Sequence, residues 1–314
     1  MTKILVTGGA GFIGSHLVKH FVQEGHFVKV IDNLLSGHLK NLESVRDEIE
    51  FIQEDIRNES ALIKALNGIE TVFHQAAMSS VPKSIANPIL SQEINVNGTL
   101  GLLCCCQKSS VRRVIFAASS SFYGDTETLP KVESMPERVK SPYAAGKFMG
   151  EIFMRLFYQI HGLETISLRY FNVFGPFQDP DSEYAAVVPA FIDALLNNKR
   201  PVIFGDGMQT RDFTFISNVV HANILAFKAE KLRGEVVNIG CGKRISLLNL
   251  LKQICKDMDL PFNPEFKEAR QGDVKHSLAS IEKAREILGY EPIADFSVGI
   301  PETIAWYRKA VLQK

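Results

Sequence analysis

The chain reads as an α/β protein, a Rossmann-type doubly wound parallel sheet with a smaller, mostly helical C-terminal region. Three observations predict this. Short apolar runs alternate with helical segments through the first half. Those runs are continuously apolar, as strands buried on both faces are, and do not alternate apolar with polar. The first of them also runs straight into a glycine-rich turn that opens a helix.

Taken in order, Lys3–Thr7 is the first strand and His16–Gln23 the helix beyond the glycine turn. Phe27–Ile31 is the second strand, followed by a loop and a weak helix around Asn41–Arg46. Phe51–Gln53 leads to the helix Ser60–Leu66, and Thr71–His74 to a long loop and the helix Ser91–Lys108. Arg113–Ala117 leads through a loop to the helix Tyr143–Ile160, and Thr165–Leu168 closes the series. Strand–helix alternation of this kind requires right-handed crossovers and a parallel sheet.

After Arg169 the texture changes. Gly175, Pro176 and Pro180 mark a polar loop over Asn172–Ser182, followed by the helix Val188–Asn197 and the strand Pro201–Phe204. A helix Val219–Ala229 and a strand Val236–Ile239 look like a return to the sheet, and Ser246–Met258 and Ile281–Leu288 are helical. With no repeat or flexible linker, the second region should pack firmly on the first and leave a cleft between them. Residues 1–170 with about 212–242 are expected to form the dinucleotide domain, and about 171–211 with 243–314 the substrate domain.

Composition removes several classes of function. Lys and Arg total 35 and Asp and Glu total 35, so no net charge steers the chain toward nucleic acid or a membrane surface. Five cysteines in 314 residues are no disulfide framework. Cys104, Cys105 and Cys106 are consecutive and would point about 100° apart on a helix, so they do not converge on a metal. The eight histidines show no paired spacing, and no metal site is expected. His74, at a strand end, reads as structural. No apolar stretch reaches the roughly 18 residues of a membrane span, and the N-terminus has no signal-like region. A soluble, cytoplasmic protein is expected.

Gly8, Gly11 and Gly14 form G-x-x-G-x-x-G between the first strand and its helix. Bare backbone there can approach a pyrophosphate, and the helix start offers free N–H groups and partial positive charge. Asp32 ends the second strand, where a carboxylate accepts from both ribose hydroxyls and repels a 2′-phosphate. No Arg or Lys lies between Asp32 and Gly37, so the expected cofactor is NAD. Ser119 ends the fifth strand, and Tyr143 and Lys147, four apart, project from one helix face. A phenol of ordinary pKa near 10 is a poor base. An adjacent ammonium and a cationic nicotinamide should lower it toward usefulness.

The glycine spacing and the Ser119…Tyr143-x-x-x-Lys147 constellation resemble the short-chain dehydrogenases/reductases, and over essentially the whole chain the extended branch, the NAD-dependent epimerase/dehydratase family. The resemblance implies that Gly8, Gly11, Phe12 and Ile13 meet the pyrophosphate. It implies that Asp32, Asn33, Ser36 and Gly37 surround the adenosine ribose and that Asp55 and Ile56 flank the adenine. Ala76 and Ala77 would line the cofactor cleft, and Lys147 would also bond the nicotinamide ribose. Arg169–Pro176 is similar to the family's R-Y-x-N-x-x-G-P segment, with Asn172 toward a diphosphate. Arg211 and Arg270 would be fixed charges for that diphosphate and Asp273 a ribose ligand. Ser79, Ser80, Ser119, Ser120, Ala186 and Val187 would border the sugar.

Within the family, dehydratases place an Asp–Glu pair just after the strand-five serine, and decarboxylases a Glu. Here those positions are Ser120 and Ser121, so elimination lacks its proton carriers. What remains resembles the UDP-sugar 4-epimerases. They invert C4 by lending its hydride to bound NAD while the tyrosine takes and returns the hydroxyl proton. Seven residues after Arg270, a position that is tyrosine in glucose-restricted relatives is Ser277, which leaves room for an acetamido group. UDP-N-acetylglucosamine is therefore the expected substrate, ahead of UDP-glucose or a UDP-uronic acid. A non-catalytic NAD-sensing scaffold is the alternative of another class, disfavoured because Tyr143 and Lys147 are both present. The apolar helices Ser91–Lys108 and Tyr143–Ile160 imply, by the resemblance, a homodimer.

Overall fold

The computed structural model describes residues 1–179, 186–269 and 275–312. Seven strands form one parallel sheet: β1 (Lys3–Thr7), β2 (Phe27–Ile31), β3 (Ile49–Ile52), β4 (Thr71–His74), β5 (Arg113–Ser119), β6 (Glu164–Tyr170) and β7 (Glu235–Ile239). Their spatial order is β3-β2-β1-β4-β5-β6-β7. The chain winds outward from β1 to β3, then crosses back to β4 on the other side of β1. That reversal opens a crevice beyond the carboxyl ends of β1 and β4, where doubly wound sheets hold ligands.

Strand residues alternate between two apolar layers, as the pleat requires. Ile4 and Val6 join Leu17, Phe21, Phe73, Val219 and Ala222 on one face, while Leu5 joins Leu62, Val72, Leu103 and Met154 on the other. The first layer runs on through Leu250, Leu251 and Tyr307, so the C-terminal region shares a core with the sheet. Its elements include the helices Val187–Leu196, Leu247–Met258, Glu282–Leu288 and Phe296–Leu312. Three two-stranded ribbons stitch it together: Val173–Phe174 with Thr214–Phe215, Thr210–Arg211 with Ile245–Ser246, and Val202–Phe204 with Glu265–Lys267. Most of these strands are two or three residues long, too short for periodicity to reveal.

Several expected elements differ: the strand expected over Phe51–Gln53 spans Ile49–Ile52, the helix expected over Val219–Ala229 spans Ile216–Lys228, and four others differ as follows. The first helix spans Phe12–Gln23, starting at Phe12 and not His16, because Gly11 is already its N-cap. The weak helix is a 3₁₀ segment, Leu39–Glu48, interrupted at Val45. The long loop before Ser91 is itself helical: Ser80 caps Val81–Ala86, Asn87 caps Pro88–Gln92, and a proline opens each first turn. The helix expected over Ser91–Lys108 carries a π-helical turn at Glu93–Gly98 before Thr99–Gln107.

The helix Pro142–His161 matches its expected span closely. Ser141 Oγ accepts from Ala144 N, Pro142 opens the first turn, and Gly162 at φ +70° ends it. Among the described residues no helix is long and apolar enough to cross a membrane.

Candidate active site

The glycine turn is packed so closely that side chains are excluded. A Cβ on Gly14 would lie 2.2 Å from the Gly8 carbonyl oxygen, and one on Gly8 2.7 Å from the backbone of Ala76 beyond β4. Gly8 also sits at φ +67°. Gly11 opens the helix with no side-chain cap and no acid in the first turn. Uncapped N–H groups, a bare backbone and the helix dipole suit the pyrophosphate of a dinucleotide.

Asp32 is buried at the end of β2. Its Oδ2 accepts from Ala10 N (3.0 Å) and its Oδ1 from Leu34 N (2.8 Å), tying the carboxylate to the glycine turn. Each oxygen keeps a further acceptor position, which fits a ribose diol. Burial pushes its pKa up, opposed by these two backbone bonds and by His38. Gly37 lies against Ala10 and the Asp32 carboxylate, Ser36 is exposed, and Asn33 turns away to donate to Asp55 Oδ2 (2.8 Å). Arg57 grips Asp55 and holds its carboxyl below the usual range, while Ile56 is buried against the π turn at Gly98. The crevice thus has the fit expected of an NAD site.

Ser119 sits where β5 ends, its Oγ accepting from Ser121 N (3.2 Å) and lying near enough to the Tyr143 phenol to favour its charged form. Tyr143 is in the first turn of Pro142–His161, its N–H donating to Ser84 Oγ (3.2 Å). Close approach of this helix depends on two glycines one turn apart. A Cβ on Gly146 would lie 2.9 Å from Asn95 Cβ, and one on Gly150 2.5 Å from the Phe116 ring. Lys147 is thereby buried against β5, its Nζ donating to the Ala117 carbonyl (2.7 Å). The structure places Ser119 near Tyr143 and Lys147 one helical turn beyond it.

The electrostatics differ from expectation in one respect. Burial pushes the Tyr143 phenol up, and the nearby Ser119 hydroxyl only opposes this. Lys147, expected to lower it, donates to the Ala117 carbonyl and is not among the groups shifting the phenol here; burial draws Lys147 itself down to about 7, with Glu151 raising it. Desolvation at the helix–sheet seam outweighs the pairing that spacing alone suggested.

Ala76 N donates to Thr7 Oγ1 (3.2 Å), Ala77 is half-buried, and Ser79 is exposed. The Ser80 hydroxyl is engaged as an N-cap, accepting from Lys83 N (3.3 Å). Ser120 is half-buried in the 3₁₀ turn after β5. His74 is held between Thr7 Oγ1 (2.8 Å) and Thr99 Oγ1 (2.9 Å), and burial lowers it to about 3, so it is a neutral structural bridge.

In the second region, Asn172 Nδ2 donates to the Asp212 carbonyl (2.9 Å) and to Ser277 Oγ (3.1 Å). Ser277 is 9% exposed, and its N–H donates to the Thr210 carbonyl. Arg211 Nη1 is engaged by the carbonyls of Thr210 (3.0 Å) and Lys275 (3.2 Å). Ala186 precedes the helix that Val187 begins. Arg270 and Asp273 lie outside the described residues.

Two groups beside the crevice escaped the sequence reading. Asn95, in the π turn, clasps the cleft loop, accepting from Met78 N (2.9 Å) and donating to Met78 O (3.1 Å). Asp212, fully buried, accepts from the N–H groups of Cys241, Gly242 and Ala279, and burial pushes it up to about 6. Asn95 carried no local signal; Asp212 had one only in the company of Arg211.

Residues 4–240 match the NAD dependent epimerase/dehydratase family. A putative UDP-glucose 4-epimerase of Methanocaldococcus jannaschii is 38% identical over 308 residues, 97% of this chain and 98% of that protein. Among solved structures, the UDP-N-acetylglucosamine 4-epimerase of Methanobrevibacter ruminantium, in complex with UDP-N-acetylmuramic acid, superposes with a TM-score of 0.94 at 38% identity, covering 98% of this chain and 99% of that one. The UDP-glucuronic acid 4-epimerase of Bacillus cereus, in complex with UDP-glucuronic acid and NAD, superposes at 0.91 and 31% identity, covering 98% and 100%.

Proposed function

The chain belongs to the NAD-dependent epimerase/dehydratase family and is a UDP-sugar 4-epimerase that uses NAD; from that premise we propose that its substrate pair is UDP-N-acetylglucosamine and UDP-N-acetylgalactosamine. The observation that carries the choice of sugar is Ser277. Its short side chain, tied to Asn172 Nδ2, occupies the position that the family resemblance assigns beside C2 of the sugar, where glucose-restricted relatives carry a tyrosine. UDP-glucose, UDP-galactose and the UDP-uronic acids are the alternatives within the same chemistry.

The proposed roles follow from the site. NAD, held by the glycine turn and Asp32, would supply a reversible acceptor for hydrogen at C4 and a positive charge favouring the phenolate. Tyr143 accepts the proton of the 4-hydroxyl and returns it once the sugar has presented its other face. Ser119, beside that phenol, orients the same substrate oxygen. Lys147 stabilises the phenolate from the next helical turn. The glycine turn and Asp32 hold the dinucleotide at either end, and Asn172 and Arg211 face the diphosphate. No net oxidation occurs, so the cofactor is not consumed.

A homodimer is proposed through the outer face of Pro142–His161. Met149, Leu156 and Ile160 are exposed there, and Ile85 and Ile89 are exposed on the adjoining short helices.

The test is NMR of a UDP-sugar panel incubated with the purified protein and no added NAD. Conversion of UDP-N-acetylglucosamine to its galacto epimer is expected. Conversion of UDP-glucose or a UDP-uronic acid alone would reject the choice of sugar. The variant Ser277→Tyr should lose at least tenfold in kcat/KM on the acetamido sugar, the scale on which overpacking costs about 1–3 kcal/mol, while retaining UDP-glucose turnover. Equal losses on both sugars would remove the basis of the assignment.

A further inference from the structure

Lys147 shares a helix face with Tyr143 one turn before it and Glu151 one turn after. Its amine sits over the Phe116 ring, 4.7 Å from the centroid, and is bonded to the Ala117 carbonyl. Among the described residues, the titratable groups around the amine and its carboxylate are His74 from β4, neutral and buried; Tyr143, Glu151 and Arg155 from its own helix, Arg155 acting on Glu151; and Arg169 from β6, which is paired to Glu151. Among the described residues, Glu151 is the carboxylate that acts on this amine.

Glu151 is held with unusual rigidity. Arg169 Nε and Nη2 grip its two oxygens at 2.8 and 2.7 Å, and both side chains are only 4% exposed. The guanidinium stacks 3.5 Å over the Phe122 ring, and its Nη1 donates to the Tyr123 hydroxyl (2.8 Å). That hydroxyl donates in turn to Asn238 Oδ1 (2.7 Å) on β7. Such a buried pair is a poor device for stability, since an apolar pair of similar volume often does as well or better. Its position one turn beyond the lysine gives it another use.

We propose that Glu151, fixed in place by Arg169, is a positioning residue that keeps Lys147 an ammonium through turnover, acting on the reacting phenol only through that lysine. The inference rests on the role given to Lys147 above. Burial draws the amine down and Glu151 raises it, so loss of the carboxylate would lower the amine further and shrink its ammonium fraction. The basic limb of the rate profile, where the required ammonium is lost, should therefore move downward.

Two variants separate charge from structure. Glu151→Gln removes the charge but strands a buried guanidinium. Glu151→Leu combined with Arg169→Met removes both charges and keeps an apolar fill, while Tyr123 retains Asn238. Lys147 is titrated by NMR of ¹³C-lysine-labelled protein as purified with its cofactor, the signal being assigned by its loss in Lys147→Met. The pH dependence of kcat/KM is measured in parallel. Both midpoints should fall in each folded variant, and further in Glu151→Gln, where the Arg169 charge remains, than in the double variant. An unchanged Lys147 midpoint in the double variant would overturn the proposal. A protein that converts no UDP-sugar would instead overturn the function proposed above, and the NMR titration would still report the coupling.

Discussion

Replacing Gly14 by alanine tests the glycine turn most directly. The new Cβ would lie 2.2 Å from the Gly8 carbonyl oxygen, with Gly9 Cα at 2.8 Å and the Gly8 carbonyl carbon at 2.9 Å. All three neighbours are backbone, so no rotamer change relieves the clash, and real Cβ atoms do not come within 3.0 Å. The helix start and the turn must separate by about 0.8 Å, the shortfall on the shortest of these distances. Overpacking of this kind costs about 1–3 kcal/mol, which for a chain of this size lowers Tm by about 2–6 °C. The same displacement draws helix N–H groups away from the pyrophosphate. Loss of one charge-assisted bond, about 1.5–3 kcal/mol, weakens NAD binding roughly ten- to hundredfold. The assay is the NAD released per chain on denaturation, read with thermal melting in the presence and absence of added NAD. Gly101→Ala is the control: Gly101 lies in the helix Thr99–Gln107, where a Cβ would meet nothing within 4 Å. That change should leave NAD occupancy intact and stabilise by about 0.5–1 kcal/mol. If Gly14→Ala retained full NAD and an unchanged Tm, close backbone approach would not be what holds the cofactor.

Three other experiments bear on the site and its assembly. Tyr143→Phe should cut kcat by at least a hundredfold, the usual scale of a lost proton carrier, with NAD occupancy unaltered; full activity would remove the phenol from the reaction. Leu156→Glu with Ile89→Glu places carboxylates on the exposed apolar face. Sedimentation should then show a monomer, against the dimer proposed for the parent protein, and an unchanged dimer would move the interface elsewhere. Below pH 6.5, the buried neutral His74 resists the proton that the unfolded chain takes up, so it withdraws stability as pH falls toward about 3. Denaturant titrations at pH 7 and pH 5 should show a smaller loss in His74→Gln than in the parent. An equal loss would contradict the buried, neutral state.

The local features of this protein are legible in its residues one segment at a time. Continuous apolar runs set β1, β2 and β4 to the residue, because burial on both faces leaves no other pattern. The glycine turn, Asp32, Ser119 and the Tyr143–Lys147 pair could be placed for the same reason, since steric need and helical spacing act over a few residues. The π turn that brings Asn95 to Met78 has no such signature, being a one-residue slip in a hydrogen-bond ladder. Tertiary packing alone decided the rest. Ser277 meets Asn172 across 105 residues, Glu151 meets Arg169 from the neighbouring strand, and Lys147 is turned to a carbonyl of β5. Side-chain type announces which groups can ionise. How far each is removed from water, and which distant partner offsets that loss, exists only once the helices have closed on the sheet.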